Sequence, residues 1–401
     1  MRLRFLNSGD PAASGNEMSR MGVDAYGIGI MLPKASCILL KADDLSCICA
    51  NILKQEMLSC GGDAAVPRHA ISGGSRKTEC LLIGSLAQFN RLREKLKLQP
   101  LGLSSLSDRI TAALENYFKR EYRLKLGKYT LYPGRRKYVM GILNLTPDSF
   151  SGDGIYSGGI DYMAAAERAE QMAADGADII DVGGESTRPG SRAVPLREEL
   201  RRTIPAVKLI CGRLKIPVSI DTRKPEVAAR ALESGAVLIN DIGGLRDAKM
   251  VKLAASGGAG VVIMHMKGRS PAVMQKSASY GSVAKEVHAF LSLALEKALE
   301  SGVRPDGILL DPGIGFGKLP EHNIELLKEL RGLRAIGRPL LVGVSRKAFL
   351  GKILKGAAPR ERDNAGLAAA VMAAERGADI LRVHNVKAAK EALAVVEKMC
   401  S

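Results

Sequence analysis

Aromatic residues make up only 4% of this 401-residue chain, and tryptophan is absent. Proteins that hold single-stranded nucleic acid rely on aromatic platforms for base stacking, so the formal charge of +17 is not read as a nucleic-acid footprint. No recognised nucleic-acid module accompanies the basic residues either. The chain also lacks any run of about 18 uninterrupted apolar residues, and its first residues include charges with no signal-type apolar block. A protein that neither spans a membrane nor is secreted, and that resides in the cytoplasm, is expected. Seven cysteines occur, an odd number with no CxxC pair, which argues against a disulfide framework or a zinc site. They are expected to be reduced thiols packed as small apolar groups, the alternative being a redox or metal cluster in the first third.

The positive charge is unevenly spread. Basic residues outnumber acidic ones 22 to 12 before Tyr138 and 37 to 30 from there on. Solvated helix faces are the plainest account, with a modest field that attracts anionic substrates as the functional one.

From Tyr138 onward the apolar residues form eight short continuous runs: Val139 to Leu143, Asp178 to Val182, Pro217 to Ile220, Val237 to Ile239, Gly260 to Met264, Gly307 to Leu310, Pro339 to Val344 and Asp379 to Val383. Amphipathic stretches of helical length separate most of them, and several end in a Gly that can take the left-handed conformation closing a helix. Continuous apolar strands are what a parallel sheet covered on both faces requires. Eight such units predict a (β/α)8 (TIM) barrel over residues 138–401, preceded by a smaller α/β domain of unassigned role over residues 1–130. In the smaller domain, strands are expected at Arg2 to Leu6, Ser36 to Leu40 and Cys80 to Ile83. Helices are expected at Leu45 to Leu58, Leu86 to Leu96 and Leu106 to Tyr117. Ser8 to Arg20 reads as a loop, and the basic stretch Lys119 to Lys137 as a linker.

Each barrel run is followed by polar residues, and in this fold the loops after the strands converge on one face. Asp221, Asn240 and Asp311 stand at the ends of strands three, four and six, with Lys347 just past strand seven. Two carboxylates, a carboxamide and an ammonium can bind a flat nitrogen heterocycle through its amino, ring N–H and carbonyl groups, with Ile142, Met264 and Phe316 supplying apolar ring contacts. Alternatively, Asp221 and Asp311 only cap the helices that follow them or pair with nearby arginines. A second group seeks anions: Ser186, Thr187 and Arg188 after strand two, with Arg382 and His384 on strand eight. His384 taken singly can equally be a structural histidine. Asn144 can ligate a metal through its carbonyl oxygen. The loops Thr146 to Gly159 and Glu185 to Pro195 have the length and Gly/Pro content of segments that close over a ligand. Asp311-Pro-Gly-Ile-Gly-Phe-Gly lacks the GxGxxG spacing and is not read as a phosphate loop.

Asn144-Leu-Thr-Pro-Asp-Ser-Phe-Ser, Asp181-Val-Gly-Gly-Glu-Ser-Thr-Arg-Pro-Gly, Ser219-Ile-Asp-Thr, Ile239-Asn-Asp-Ile, Met264-His-Met, Asp311-Pro-Gly-Ile-Gly-Phe-Gly-Lys, Val344-Ser-Arg-Lys and Arg382-Val-His resemble, in order and across the whole barrel, the dihydropteroate synthase family. That resemblance implies a transferase of folate biosynthesis and a sulfonamide target, joining 6-hydroxymethyl-7,8-dihydropterin diphosphate to 4-aminobenzoate with release of diphosphate. It implies that Asp221, Asn240, Asp311 and Lys347 bind the pterin, with Met264 and Phe316 packed on its rings. Asn144, Thr187, Arg382 and His384 then hold diphosphate with Mg²⁺, while Arg188, Pro189 and Ser345 border the aminobenzoate. Catalysis is assigned to Lys347, Arg382, His384 and Asp221, the partners are small molecules, and a homodimer is common in the family. Asn385 stands where the family usually has Asp, which bears on how His384 is oriented. A folate-dependent methyltransferase and a non-catalytic pterin-binding protein are the alternatives, and neither explains Ser345-Arg-Lys and Arg382-Val-His.

Overall fold

The computed structural model describes residues 3–4, 11–73, 77–146, 160–186, 191, 193–268, 270, 274 and 278–400. It divides into two compact units, residues 1–115 and 116–401.

The first unit is an α/β layer. Strands β1 (Ile38–Leu45), β2 (Asp63–Ala65) and β3 (Thr78–Gly84) form an antiparallel sheet in the order β1-β3-β2. β3 alternates buried and half-buried residues, as a central strand with one covered face does. Helices Cys47–Ser59 and Leu86–Leu96 contribute Leu53, Met57, Phe89, Leu92 and Leu96, all fully buried. Ser85 and Gln88 start the second of these with a capping box, the arrangement that satisfies two orphan N–H groups at once. Cys47, Cys49, Cys60 and Cys80 are buried free thiols, and burial pushes Cys80 up to about 11, so it is packed and unreactive. The stretch expected to be a loop instead holds a helix, Pro11–Arg20. Proline is pre-organised for the first helical position, a start signal that the small polar residues around it concealed. The β1 strand was expected; the short β2 was not.

The second unit is a closed barrel. Strands β6 (Tyr138–Asn144), β7 (Ile179–Gly183), β8 (Val218–Asp221), β9 (Leu238–Asp241), β10 (Gly260–Met264), β11 (Ile308–Asp311), β12 (Leu341–Val342) and β13 (Ile380–Val383) run parallel in the order β11-β10-β9-β8-β7-β6-β13-β12. The Leu310–Leu340 bridge joins the two ends of that order. Outward-facing strand residues such as Val139, Ile180, Ile220, Val261 and Leu310 share one core with the helices. One of those helices, Ala248–Ser256, had no counterpart among the sequence expectations; Asp247 caps it by accepting from the Lys249 N–H at 2.8 Å.

The Lys119 to Lys137 stretch is not a free linker. It holds a hairpin, β4 (Leu124–Leu126) and β5 (Tyr129–Leu131). Leu124 and Leu126 pack on Tyr138, Ile179, Leu238 and Ile380, the residues that begin four barrel strands, so the hairpin plugs the strand-start end. A Cβ on Gly260 would come within 2.3 Å of the Leu126 side chain. Leu126→Ala is therefore expected to destabilise the barrel by about 2–4 kcal/mol, the range for a leucine in a tight core. Urea unfolding measures this, and a loss under about 1 kcal/mol would show that the plug is dispensable.

Candidate active site

The other end of the barrel collects the polar residues. Asp221 and Asp311 are the last residues of β8 and β11, Met264 ends β10, and Asn240 lies next to last on β9. Together with Lys347, Arg382, Phe316 and Gly343 they line one pocket, to which Ile242 and Ile314 add apolar wall. Seven of the residues singled out in the sequence thus share a single cleft. The ring contacts come from Ile242 and Ile314 in addition to Met264 and Phe316, whereas Ile142 is not among the lining residues.

Charge in this pocket is organised around Arg382. Its Nε donates to Asp181 Oδ2 and its Nη2 to Asp221 Oδ2, both at 2.6 Å. Asn240 Nδ2 donates to the same Asp181 oxygen at 3.0 Å. Asp181 is wholly buried in the middle of β7 and was not singled out in the sequence. Its signal was present, because an acid inside a continuous apolar strand must be paired to be tolerated. Among the described residues, the other oxygen of Asp221, Oδ1, is buried and has no hydrogen-bond partner. A buried orphan acceptor on a pocket wall is poised for a ligand donor.

Burial raises Asp221 to about 7, the neighbouring Asp181 and Glu199 carboxylates add to the rise, and Arg382 opposes it. Burial likewise raises Asp311, whose Oδ1 accepts from the Gly313 N–H at 2.7 Å. Lys347 is pushed down to about 8, by burial and then by Arg382, with Asp311 and Asp221 acting the other way. Its Nζ lies 4.2 Å from the centroid of the Phe316 ring, a cation–π contact.

Ser345 and His384 form a separate pair beside this pocket. The Ser345 Oγ accepts from the His384 backbone N–H at 3.3 Å and lies 3.0 Å from Nδ1 of the imidazole. Burial, then Arg346 and Arg382, lower His384 to about 3, so the ring is neutral. Since Oγ already accepts a backbone proton, its own hydrogen is free to point at Nδ1. That arrangement leaves Nε2 as the protonated, donating nitrogen.

Ser345 and Lys347 diverge because Arg346 between them adopts φ +58°, a left-handed conformation costing about 1–2 kcal/mol for a residue with a Cβ. A two-pronged ion pair from its Nε and Nη2 to Asp363, at 2.7 and 2.8 Å, holds it there. Asn385 accepts from the Ala388 N–H at 3.2 Å and so starts the last helix.

Asn144 ends β6, half buried, with Gly183 between it and Asp221. A Cβ on Gly183 would lie 3.6 Å from Asn144 Oδ1 and 3.5 Å from the Asp221 Cβ. Thr187, Arg188 and Pro189 lie outside the described residues. The start of their loop is tied down by Glu185, which pairs with Lys224 and, at 3.3 Å, with Arg223. Lys224 also pairs with Glu199, a buried acid on helix Leu196–Arg213 that in turn accepts from Thr222 Oγ1 at 2.6 Å.

The class of protein follows from fold and comparison together: the chain belongs to the pterin binding enzymes, whose family model matches residues 140–384. A dihydropteroate synthase of Synechocystis sp. is 44% identical over 287 residues, 71% of this chain and 97% of that protein. The solved dihydropteroate synthase of Thermus thermophilus in complex with 4-aminobenzoate superposes with a TM-score of 0.62 at 45% identity, over 69% of this chain and 99% of that one. That of Yersinia pestis, in a sulfonamide drug complex, gives 0.65 at 41% identity over 69% and 99%. Within the pterin binding enzymes, this chain is a member of the dihydropteroate synthase family.

Proposed function

We propose that the barrel mouth condenses 6-hydroxymethyl-7,8-dihydropterin diphosphate with 4-aminobenzoate, giving 7,8-dihydropteroate and diphosphate. The observation that carries this reading is the orphan oxygen of Asp221 beside an Arg382 fixed by two carboxylates, an acceptor for the heterocycle next to a cation for the leaving group.

Asp221 Oδ1 and Asp311 accept from the amino and ring N–H groups of the pterin. With its amide nitrogen committed to Asp181, Asn240 offers its carbonyl oxygen. Lys347 donates to the ring carbonyl or a ring nitrogen, while Met264 and Phe316 pack on the ring faces. In the reaction the bond from the pterin methylene carbon to the diphosphate oxygen breaks, and a bond from that carbon to the aminobenzoate nitrogen forms, with loss of an amine proton. Electron release from the dihydropterin ring supports positive charge on the methylene as the leaving group departs. Arg382 and the Nε2–H of His384 stabilise the charge that grows on the diphosphate, and their fixed partners mean that little reorganisation is needed. The neutral aromatic amine is already nucleophilic, so Thr187, Arg188, Pro189 and Ser345 have to position it rather than activate it.

Among the described residues, no three His, Cys, Asp or Glu side chains gather as a metal cage. Asn144 would hold Mg²⁺ through its side-chain carbonyl oxygen, the kind of hard ligand this ion prefers, and the ion would supply neutralisation of charge on the diphosphate. No helix among the described residues is long and apolar enough to cross a membrane. A cytoplasmic location, where small soluble substrates are at hand, is part of the same proposal.

The deciding experiment is diphosphate release by the purified protein. Release should require both substrates and should slow when an aryl sulfonamide is added, with recovery at high aminobenzoate. A methyl transfer enzyme would release none, and a silent binding protein would bind pterin without turnover; either outcome removes the proposal.

A further inference from the structure

Lys318 is a buried lysine that the reaction does not use. It is 3% exposed, and among the described residues its hydrogen-bond partners are all uncharged. Nζ lies 2.9 Å from His265 Nδ1 and 2.8 Å from the Gly313 carbonyl oxygen, with the Phe316 and His265 carbonyls at 3.3 and 3.5 Å. A buried ammonium without a carboxylate partner is costly to keep, and burial lowers its pKa to about 7 with Asp311 opposing. An apolar side chain would fill the same space at less cost.

The partners show what the lysine achieves. They belong to two loops, one leaving β10 and one leaving β11, which touch backbone to backbone. Gly313 has φ +67°, and a Cβ there would fall 1.8 Å from the His265 carbonyl oxygen. Lys318 clips both loops, and through the Phe316 carbonyl it fixes the residue whose ring carries the Lys347 ammonium. From the other side Asn323 clips the same loop, accepting from the Gly315 N–H at 2.6 Å and donating to the Leu319 carbonyl at 2.8 Å. The imidazole of His265 is packed edge-on against Phe290 and neutral, held down to about 2 by burial and then by Lys318, so it accepts a hydrogen bond from Lys318.

We propose that Lys318 is a positioning residue for the heterocycle half of the site, holding the β10 and β11 loops together so that the Phe316 ring and the Lys347 ammonium are set before substrate arrives. This rests on the pterin reading of the pocket. Pre-setting a binding wall lowers the ordering that the ligand must otherwise drive. Arg382 lies on β13, and His384 and Ser345 follow β13 and β12, so this group does not depend on the clip.

The test is calorimetry of a free pterin and, separately, of diphosphate with Lys318→Met and the wild-type protein. The variant is expected to weaken pterin binding at least tenfold and to leave diphosphate binding within twofold. In a Phe316→Ala background the same change should cost less than threefold, because the ring it positions is gone. Pterin affinity within twofold of wild type in a folded Lys318→Met protein overturns the inference, as does an equal loss for both ligands, which would mean general loosening. If Lys318→Met does not fold, His265→Phe removes the imidazole acceptor and keeps the aromatic volume. A pterin-selective loss of threefold or more there supports the clip, and a smaller or unselective one overturns it. Failure of the wild-type protein to bind pterin at all would instead strike the underlying pocket assignment.

Discussion

Arg382→Ala is expected to reduce turnover by about 10²–10³-fold, the usual effect of deleting a charged donor aimed at the developing negative charge, and to weaken pterin binding as well. The second loss comes from Asp181 and Asp221, each of which gives one oxygen to this guanidinium. Removing a single member of a buried ionic group leaves the others uncompensated, at about 3–5 kcal/mol. His384→Ala should behave differently. Its imidazole is held by the Ser345 hydroxyl rather than by the pocket carboxylates, so turnover should fall while pterin affinity stays within about threefold, less than about 1 kcal/mol. Pterin calorimetry on the two variants, with urea unfolding alongside, separates them. Equal pterin affinities in both would show that the Arg382 ion pairs do not shape the heterocycle pocket.

Asp221→Asn is expected to cut kcat/KM about 100-fold, the scale of losing a charged hydrogen-bond acceptor, and to remove the acid limb of its pH profile. In the role proposed for it, Asp221 must be ionised to accept from the pterin. With its pKa raised to about 7, activity should climb as pH rises through that value. Lys347, in its proposed role, must be protonated to donate, and with its pKa lowered to about 8 activity should fall above it. The result is a narrow bell whose limbs belong to the interacting group of charges as a whole. Replacing the carboxylate by a carboxamide removes the titrating group behind the lower limb and leaves the upper one. An unchanged acid limb in the variant would assign that limb to the substrate or to another residue.

The barrel was legible because every strand is covered on both faces and so writes itself as a continuous apolar run. Boundaries at β10 were met residue for residue, with His265 ending the apolar run after Met264. β12 shrank from the six residues suggested by Pro339 to Val344 to Leu341–Val342, because the chain leaves the sheet early to make the turn at Arg346. Helix Ala248–Ser256 was not expected, and helix Pro11–Arg20 was hidden by its polar, glycine-containing sequence. The hairpin of β4 and β5 lay inside a basic stretch whose charges hid Leu124 and Leu126. In the site, residues that follow strands were found from position alone. Asp181, Glu199 and Lys318 were not, because their importance lies in what they hold in place, and that depends on contacts between segments far apart in sequence. Sequence position marked Arg382 as anion-seeking, but not that it is also paired with Asp221.

The left-handed turn at Arg346 has a bearing on drug escape. One kinked tripeptide sends Ser345 to the histidine side of the cleft and Lys347 to the heterocycle side. A substitution there that repels an aminobenzoate mimic also moves the ammonium proposed to hold the pterin. Selection by such a drug therefore meets opposition at this turn from the native reaction, and tolerated escape changes should fall at positions that touch the mimic without sharing a backbone kink with Lys347.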